Sequence, residues 1–339
     1  MSEPHDLITM GRIGVDLYPQ QSGVGLADVD TFAKFLGGSA ANVAVAASRL
    51  GRAAALVSRT GADPFGDYCR RALRGFGVDP RWVTDVEDLP TPVTFCEIFP
   101  PDDFPLYFYR RPLAPDLVIH PEELDLEAIA RARLFWVTGT GLCAQPSRTA
   151  TLAALAARAR ARAGEGGAPS QVGTVFDLDW RPMFWDGSAA EAARPHYAEA
   201  LRHATVAVGN LAECEVATGL RDPDGCAEAL LAAGVELAVV KLGPDGVLAV
   251  QRDGTRVQVP PHPVEVVNGL GAGDAFGGAL CDGLLAGRPL ADTLRRANAA
   301  GALVASRLAC SSAMPTEAEL AALLEGVPTN PTTDGRTTR

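Results

Sequence analysis

The chain has 339 residues, 47% of them hydrophobic, so it is long enough to bury one large core and a smaller appended unit. Its formal net charge is −11 and it contains no basic run, which argues against nucleic acid and anionic membrane surfaces as partners. Seven cysteines without a CxxC pair, no apolar run near the ~20 residues of a membrane span and no secretion signal predict a reduced, cytoplasmic protein without a cysteine zinc site.

Apolar, β-rich runs alternate with helical patterns along most of the chain. The first run, LITMGRIGVDL, precedes a helix predicted over 39–50, and the strand AALVSRTG precedes one over 63–77. The later strands LFWVTG, TVFDLD, TVAVGN and LAVVKLG are interspersed with helices predicted over 147–163 and 189–203. GVLAVQRDGTRVQVP has the pattern of a hairpin, and 271–309 of long apolar helices. The alternation predicts an α/β fold with a mainly parallel sheet covered by helices on both faces.

Two stretches interrupt this alternation and contain strands without intervening helices. They are the segment after LITMGRIGVDL and the pair PVTFCEIFP and PLYFYRRP. We expect them to form a small antiparallel sheet that closes over a cleft as a lid. The predicted division is a core of residues 1–16, 37–90 and 119–326, a lid of residues 17–36 and 91–118, a surface loop at 164–171 and a disordered tail at 327–339.

The sequence VVNGLGAGDAFGG at 266–278 runs from a strand end through glycines into a helix. Backbone amides of Gly271, Ala272 and Gly273 would face an anion at the helix N-terminus. Asp274 would lie in the first helical turn, where its negative charge does not help phosphate binding. A carboxylate at this position indicates a general base that accepts a proton from the nucleophile. The alternative is a glycine-rich turn capped by Asp274. A helix N-terminus favours a low pKa for this carboxyl, which predicts a rate that is flat from about pH 6.5 to 8.

Two other glycine loops fit this segment poorly. A Walker loop requires GxxxxGK[ST], and no lysine follows Lys241. In a dinucleotide GxGxxG motif counted from Gly269, the third glycine position holds Asp274, which would repel a pyrophosphate. A dehydrogenase is therefore retained only if the purified protein binds NAD.

The sequence GGSAAN at 37–42 starts a predicted helix. Gly38 allows close backbone approach, and Asn42 offers both a donor and an acceptor to a hydroxylated ligand; a plain helix start is the alternative. Asp16 follows the first strand at the carboxyl end, the ligand side of an open α/β sheet, where a carboxylate can bind two sugar hydroxyls. A turn-forming aspartate is the alternative there.

Arginines near the predicted cleft suit an acidic sugar, because a guanidinium group matches a carboxylate. Tyr109 and Arg110 lie on the proposed lid, and Arg181 follows a core strand in FDLDWRPMFW. Arg111 is an equal candidate for the inward position. The alternative is that these arginines are solvated or paired with Asp116, Asp177 or Asp179.

Two further strand ends are candidates for the nucleotide side. Asn210 and Glu213 in NLAE lie where hydrated Mg²⁺ could be held near phosphates, with Glu213 acting through water, or they form a helix cap. Lys241 and Gly243 in KLGPDG end another strand at the same edge of the sheet. The five histidines show no metal-ligand spacing.

Taken together, GGxxxN, NxxE, KxGxxG and GAGDAF resemble the ribokinase-like (PfkB) carbohydrate kinases over residues 6–325. The resemblance implies a three-layer ribokinase-like sandwich that binds ATP and Mg²⁺, and we also expect a homo-oligomer. It implies Asp274 as the catalytic base and Gly271 to Gly273 as an anion hole. The substrate residues implied are Asp16, Gly38, Asn42, Tyr109, Arg110 and Arg181, and the nucleotide residues are Asn210, Glu213, Lys241, Gly243, Gly246 and Asn298.

Within the family, the chain is most similar to kinases of keto-deoxy sugar acids, through MGRIGVDLYPQ, FLGGSAAN, YFYRRPLAPD and FDLDWRPMFW. This resemblance implies phosphorylation of the terminal hydroxyl of 5-dehydro-2-deoxy-D-gluconate, a sugar acid of inositol catabolism. The alternatives are 2-keto-3-deoxygluconate or another sugar as substrate, and a non-catalytic sugar-binding regulator, against which the retained Asp274 argues. One departure is Asn268, where the family's DTxGAGD motif has an aspartate that helps to bind a monovalent cation, so a K⁺ site is in question.

Overall fold

The computed structural model describes residues 4–164, 173–186 and 189–326. The predicted surface loop after Gly164 and the predicted tail from Val327 lie outside these residues. The strands are β1 (Leu7–Met10), β2 (Gly14–Pro19), β3 (Phe32–Gly37), β4 (Ala54–Gly61), β5 (Asp79–Val86), β6 (Val93–Cys96), β7 (Leu106–Tyr109), β8 (Leu134–Thr138), β9 (Gly173–Asp177), β10 (Val206–Asn210), β11 (Leu237–Lys241), β12 (Val247–Gln251) and β13 (Arg256–Val259). The α-helices are α1 (Ser39–Arg49), α2 (Pro64–Gly75), α3 (Leu126–Arg131), α4 (Ser147–Arg162), α5 (Ala189–Leu201), α6 (Leu211–Thr218), α7 (Pro223–Ala233), α8 (Ala272–Leu285), α9 (Leu290–Ala305) and α10 (Glu317–Leu324).

Nine strands form the main sheet, in the order β13-β12-β11-β10-β9-β8-β1-β4-β5. Its strands from β11 to β5 are parallel, and the β12–β13 hairpin adds two antiparallel strands at one edge. Successive side chains of a strand point to opposite faces, so Leu7 packs into the core under α1, α8 and α9, and Ile8 into the core under α4, α5 and α7. Two hydrophobic cores on the two faces of one sheet give the predicted three-layer sandwich.

The small sheet has the order β3-β2-β6-β7. Its β2–β3 and β6–β7 pairs are antiparallel, as predicted, whereas β2 and β6 run parallel. The prediction of an α/β fold with a mainly parallel sheet and a small β lid is confirmed. No helix within the described ranges is long and apolar enough to cross a membrane.

The run LITMGRIGVDL, expected to be a single strand, is divided between the two sheets. The chain leaves the main sheet at Gly11, whose φ is +152°; a Cβ there would lie 3.0 Å from Thr138 Oγ1 and 3.1 Å from the Cβ of Ala40. The small sheet therefore begins at Gly14 rather than at residue 17. Asp16 lies within lid strand β2, not at the end of a core strand.

Candidate active site

A cavity of about 240 Å³ lies between the carboxyl ends of the main-sheet strands and the small sheet. Strand ends of a parallel sheet carry exposed polar groups to one edge, which is where ligands bind in such folds. Eleven of the residues predicted from sequence line this cavity: Asp16, Gly38, Asn42, Arg110, Arg181, Asn210, Glu213, Lys241, Gly271, Gly273 and Asp274. Residues that are far apart in the chain thus share one enclosed space.

Gly271 sets the geometry of the glycine-rich end of the cavity. It is the N-cap of α8, with φ +82°, and a Cβ at this position would lie 2.7 Å from Cys310 Sγ. Only glycine satisfies both the backbone conformation and the close approach. The amides of the first turn of α8 have no acceptor within the helix, although the Ala272 amide makes a long bond of 3.4 Å to the Gly269 carbonyl, and Gly271, Gly273 and Asp274 line the cavity. This geometry suits an anion.

Asp274 is held in the cavity by Asn42. The Asn42 side-chain amide donates a hydrogen bond of 2.8 Å to Asp274 Oδ2. Burial raises the pKa of Asp274 to about 6, although the Asn42 hydrogen bond acts to lower it. The low pKa expected from the helix N-terminus is therefore wrong, because desolvation outweighs the helix dipole. Asn42 is 3% exposed, and its Oδ1 has no hydrogen-bond partner among the described residues.

Asp16 reaches the cavity from the lid side. Gly37 of β3 leaves the space that its carboxylate occupies, since a Cβ on Gly37 would overlap it. Burial raises the pKa of Asp16 to about 7, and a hydrogen bond of 3.2 Å from the Tyr18 hydroxyl opposes the shift. The Tyr18 hydroxyl also contacts Cys310 Sγ, and Cys310 packs on Gly271. Tyr18 therefore links Asp16 to the glycine-rich end of the cavity.

Arg110, rather than Arg111, lines this cavity. Its Nη2 donates to both carboxylate oxygens of the buried Asp116, at 3.0 and 2.8 Å, so one of the pairings considered as alternatives occurs. Side chains alternate along β7, and Tyr109 points to the other face, where it is 64% exposed and lines an adjoining cavity together with Arg111. Tyr109 therefore does not lie among the residues of this site.

Arg181 and Asp179 follow β9. Asp179 accepts hydrogen bonds from Arg12, at 2.9 Å to its Oδ2, and from Ser39 and Thr140. Burial acts to raise the pKa of Asp179, but the Arg12 and Arg181 cations hold it well below its usual range. Asp179 has φ +30°, an unfavourable conformation for a residue with a side chain, and this type of strain is common at functional sites.

Arg181 connects Asp179 to the opposite end of the cavity. Its Nη2 lies 3.2 Å from Asp179 Oδ1 and its Nη1 lies 3.8 Å from Glu213 Oε1. The Nε of Arg181 is buried and makes no hydrogen bond to the described residues. Burial raises the pKa of the neighbouring Asp177 well above its usual range, and the Lys241 cation opposes the shift.

Asn210 and Glu213 form a capping box at the start of α6. The Glu213 amide donates to Asn210 Oδ1 at 2.9 Å, and the Asn210 amide donates to Glu213 Oε2 at 2.7 Å. The cap considered as an alternative is therefore present, and both residues also line the cavity. Glu213 Oε2 lies 3.8 Å from Lys241 Nζ, which orients the lysine toward the same space.

The donor set fits a hydrated Mg²⁺ better than a fully protein-ligated one. Within the described ranges, no group of three or more His, Cys, Asp or Glu side chains is arranged to hold a metal ion. Glu213 presents a carboxylate beside Lys241, and Mg²⁺ commonly binds through one or two carboxylates, water and substrate phosphates.

Comparison with known proteins identifies the fold family. The model of the pfkB family of carbohydrate kinases matches residues 4–317. The chain belongs to this family. It is 35% identical over 328 residues to a 5-dehydro-2-deoxygluconokinase from Photobacterium profundum, covering 95% of each chain.

Solved structures give the same fold. A Vibrio cholerae O395 fructokinase double mutant, crystallised with fructose, ADP and potassium ion, matches with a TM-score of 0.81 and 25% identity, covering 96% of this chain and 100% of that chain. An E. coli protein crystallised with ATP and Mg²⁺ has a TM-score of 0.83 at 22% identity, covering 95% and 99% of the two chains.

Four residues predicted for the kinase's nucleotide and anion sites do not line the cavity. Gly243 and Gly246 lie in the turn between β11 and β12, where a Cβ on Gly246 would overlap the Val259 carbonyl. Asn298 of α9 donates to the Pro260 carbonyl at 2.8 Å and so ties this helix to the end of β13. Ala272 is the first residue of α8 and does not line the cavity. Their roles in nucleotide and anion binding stay predictions.

Asn268, the departure from the family motif, is fully buried. Its Nδ2 donates to the Leu308 carbonyl at 2.7 Å, and its Oδ1 accepts from the Leu270 amide at 3.0 Å. A neutral amide thus ties the glycine-rich loop to the segment before Cys310 without a carboxylate.

Sequence patterns missed Arg12, the most enclosed cation of the cavity. Arg12 lies within the run LITMGRIGVDL, which the sequence pattern predicts to be an apolar strand. An arginine inside such a run indicates a buried ion pair, because a buried charge must be paired. Tyr18 and Phe184 were missed for a different reason. Tyr18 contacts Asp16 within the same strand and Phe184 packs on Arg110 from a distant segment, and neither contact belongs to a recognisable motif.

Proposed function

We propose that this pfkB family kinase transfers the γ-phosphoryl group of ATP to the terminal hydroxyl of 5-dehydro-2-deoxy-D-gluconate. The observation that carries the proposal is Asp274, held by Asn42 at the start of α8 in a cavity that also contains arginines. A base beside an anion hole supports phosphoryl transfer, and the arginines support an acidic sugar. The relative from P. profundum, named for this activity, supports the same substrate.

In the proposed reaction, the substrate hydroxyl donates to Asp274, and its proton passes to that carboxylate as the hydroxyl oxygen bonds to the γ-phosphorus. The bond from phosphorus to the bridging oxygen breaks and ADP leaves. The unpartnered Asn42 Oδ1 is a ready acceptor for a second sugar hydroxyl. The α8 N-terminus stabilises the transferring group's charge, which is the main contribution of a protein to a loose transition state.

At the other end, we assign Asn210, Glu213 and Lys241 to the nucleotide. Mg²⁺ would be bound by ATP phosphates and water with Glu213 as its nearest carboxylate, and it would neutralise charge on the phosphates. We also retain Gly243, Gly246 and Asn298 as nucleotide residues. K⁺ is a candidate for a further cofactor, because the V. cholerae fructokinase was crystallised with a potassium ion. The neutral Asn268, whose amide donates to the Leu308 carbonyl, would supply no anionic ligand for that ion.

Arg110 and Arg181 are our candidates for the substrate carboxylate, with Asp16 and Asn42 on the hydroxyls and Gly38 allowing close approach. Arg110 keeps donors that are not used by Asp116, and Arg181 has a buried Nε without a partner. We further propose a cytoplasmic homo-oligomer; all seven cysteines are buried and free, as in a reduced compartment. Light scattering on the purified protein tests the oligomeric state.

The deciding experiment measures ADP release with ATP, Mg²⁺ and a panel of acceptors. The panel contains 5-dehydro-2-deoxygluconate, 2-keto-3-deoxygluconate, fructose and ribose. We expect the highest kcat/KM with 5-dehydro-2-deoxygluconate. Preference for 2-keto-3-deoxygluconate would replace the substrate within the same chemistry. Preference for a neutral sugar would refute the sugar-acid assignment, and ligand binding without ADP release would indicate the non-catalytic regulator.

A further inference from the structure

Arg12 is a buried arginine at the floor of the cavity, with 7% of its surface exposed. Its Nε donates to Thr140 Oγ1 at 3.1 Å, and its Nη2 donates to Ser39 Oγ and to both oxygens of Asp179. Its Nη1 makes no hydrogen bond to the described residues, yet this nitrogen is not fully buried. A donor of a deeply buried guanidinium group therefore remains open to the cavity.

Arg110 presents a similar arrangement from the lid. Its Nη2 is used by Asp116, while no bond from its Nε or Nη1 to the described residues is formed. Phe184 packs against both arginines: its ring centroid lies 4.9 Å from Arg110 Cζ and 5.7 Å from Arg12 Cζ. Phe108 of β7 lies against Phe184, with ring centroids 5.0 Å apart. Two oriented guanidinium groups are thus spaced by one aromatic ring.

The pairing of the arginines leaves donors available at this place. Asp116 uses only Nη2 of Arg110, and Asp179 is shared between Arg12 and Arg181. A structural anchor would need only the bonds from Nε and Nη2 of Arg12. Leaving the third nitrogen unpaired in a nearly closed site is unfavourable unless water or a ligand accepts from it.

We propose that Arg12 and Arg110 together form the recognition site for the substrate carboxylate, and that Phe184, Asp116 and Asp179 are the positioning residues that fix the two guanidinium planes. This inference rests on the proposed function, because it assumes that the phosphoryl acceptor is a small organic acid. It adds Arg12 to Arg110 and Arg181, the two arginines already assigned to the carboxylate, and makes the ring of Phe184 the spacer between Arg12 and Arg110.

The test compares 5-dehydro-2-deoxygluconate with its carboxamide, which has the same size and hydroxyls but no charge. Arg12→Lys keeps a cation for Asp179 but cannot pair with Asp179 and donate to a ligand at once. We expect kcat/KM for the acid to fall about 10- to 100-fold, mostly in KM, and the value for the carboxamide to change less than threefold. Arg148→Lys is the matched control, because Arg148 donates to the Leu142 and Cys143 carbonyls and does not line the cavity.

Phe184→Leu tests the same site without changing a buried charge, and so covers the case in which Arg12→Lys fails to fold. We expect a three- to tenfold loss of preference for the acid over the carboxamide, with kcat for the acid nearly unchanged. Equal losses for both ligands, or an unchanged preference in Phe184→Leu and in a folded Arg12→Lys protein, would overturn the inference.

Titration calorimetry of the wild-type protein with the two ligands, in the absence of ATP, separates this inference from the proposed function. A wild-type enzyme that binds the acid at least tenfold more tightly than the carboxamide, but does not phosphorylate it, would refute the function and leave the recognition site supported. A wild-type enzyme that phosphorylates the acid and binds both ligands equally would refute the recognition site alone.

Discussion

The two ends of the cavity are built in different ways. The proposed phosphoryl end consists mainly of consecutive residues, from Gly269 to Asp274, where the backbone conformation and the N-terminus of α8 would form the anion site. The proposed acid end is assembled from side chains of β2, α1 and the segments after β1, β7 and β9, which lie far apart in the sequence. A backbone-built site depends on glycine positions and on one base, whereas a side-chain-built site distributes its function over several paired charges.

The largest expected effect is at the phosphoryl end. Asp274→Asn should lower kcat by at least ~10²-fold and leave the KM values for ATP and the sugar acid within a few-fold, because the side-chain volume is kept and the base is lost. Steady-state kinetics with both substrates measures this. The matched control is Asp253→Asn, because Asp253 is exposed in the turn between β12 and β13 and does not line the cavity. A kcat within tenfold of wild type would show that Asp274 is not the base.

The acid end should respond in KM rather than in kcat. Arg110→Ala should reduce kcat/KM for the sugar acid by roughly 10- to 150-fold, because a hydrogen bond to a charged group contributes ~1.5–3 kcal/mol. Arg181→Ala should cause a loss of similar size and should also raise the KM for ATP, since Arg181 lies near Glu213 as well. Fructose turnover is the control, and it should change little in Arg110→Ala. If both variants keep the wild-type selectivity for acid over fructose, these arginines are structural.

Sequence patterns predict a site built from consecutive residues better than one built from side chains of distant segments. GAGDAF locates the phosphoryl end because the required geometry is local, and strand alternation predicts the two-faced sheet. Arg12 escapes such reasoning because its importance depends on Asp179, which is 167 residues away. Tyr109 and Arg111 could be separated from Arg110 only once the register of β7 was known. The pKa of Asp274 was misjudged because burial depends on the lid and on α1, and neither is visible at a helix N-terminus.

The raised carboxyl pKa values predict opposite pH effects on activity and on stability. Since the pKa of Asp274 is about 6, kcat/KM should fall as the pH decreases below about 6, by close to tenfold per pH unit at the limit, and be nearly constant above about 7.

The pKa values of Asp16 and Asp274 are higher in the folded than in the unfolded chain, so the folded protein takes up protons at a higher pH than the unfolded chain does. Their contribution to stability is present below the unfolded pKa and is lost as the pH rises through about 6 and 7.

Thermal unfolding of the ligand-free protein and of Asp16→Asn, from pH 5 to 8, checks this effect. The variant should gain stability relative to wild type at pH 8 and lose most of that advantage at pH 5. Acid destabilisation by other carboxylates, such as Asp179, is common to both proteins and cancels in the comparison. A stability difference that is independent of pH would show that the pKa of Asp16 is not raised into this range.

The smallest effect concerns Asn268, which directly precedes the glycine-rich loop. A carboxylate here would attract a cation to the carbonyls around Leu308, whereas the Asn268 amide donates to that carbonyl directly and needs no ion. We expect activity to change by less than about threefold when KCl is replaced by a choline salt at constant ionic strength. Asn268→Asp removes the donor and adds a charge, and it should make activity dependent on K⁺. A strict K⁺ requirement in the wild-type protein would show instead that backbone oxygens form the cation site without an anionic side chain.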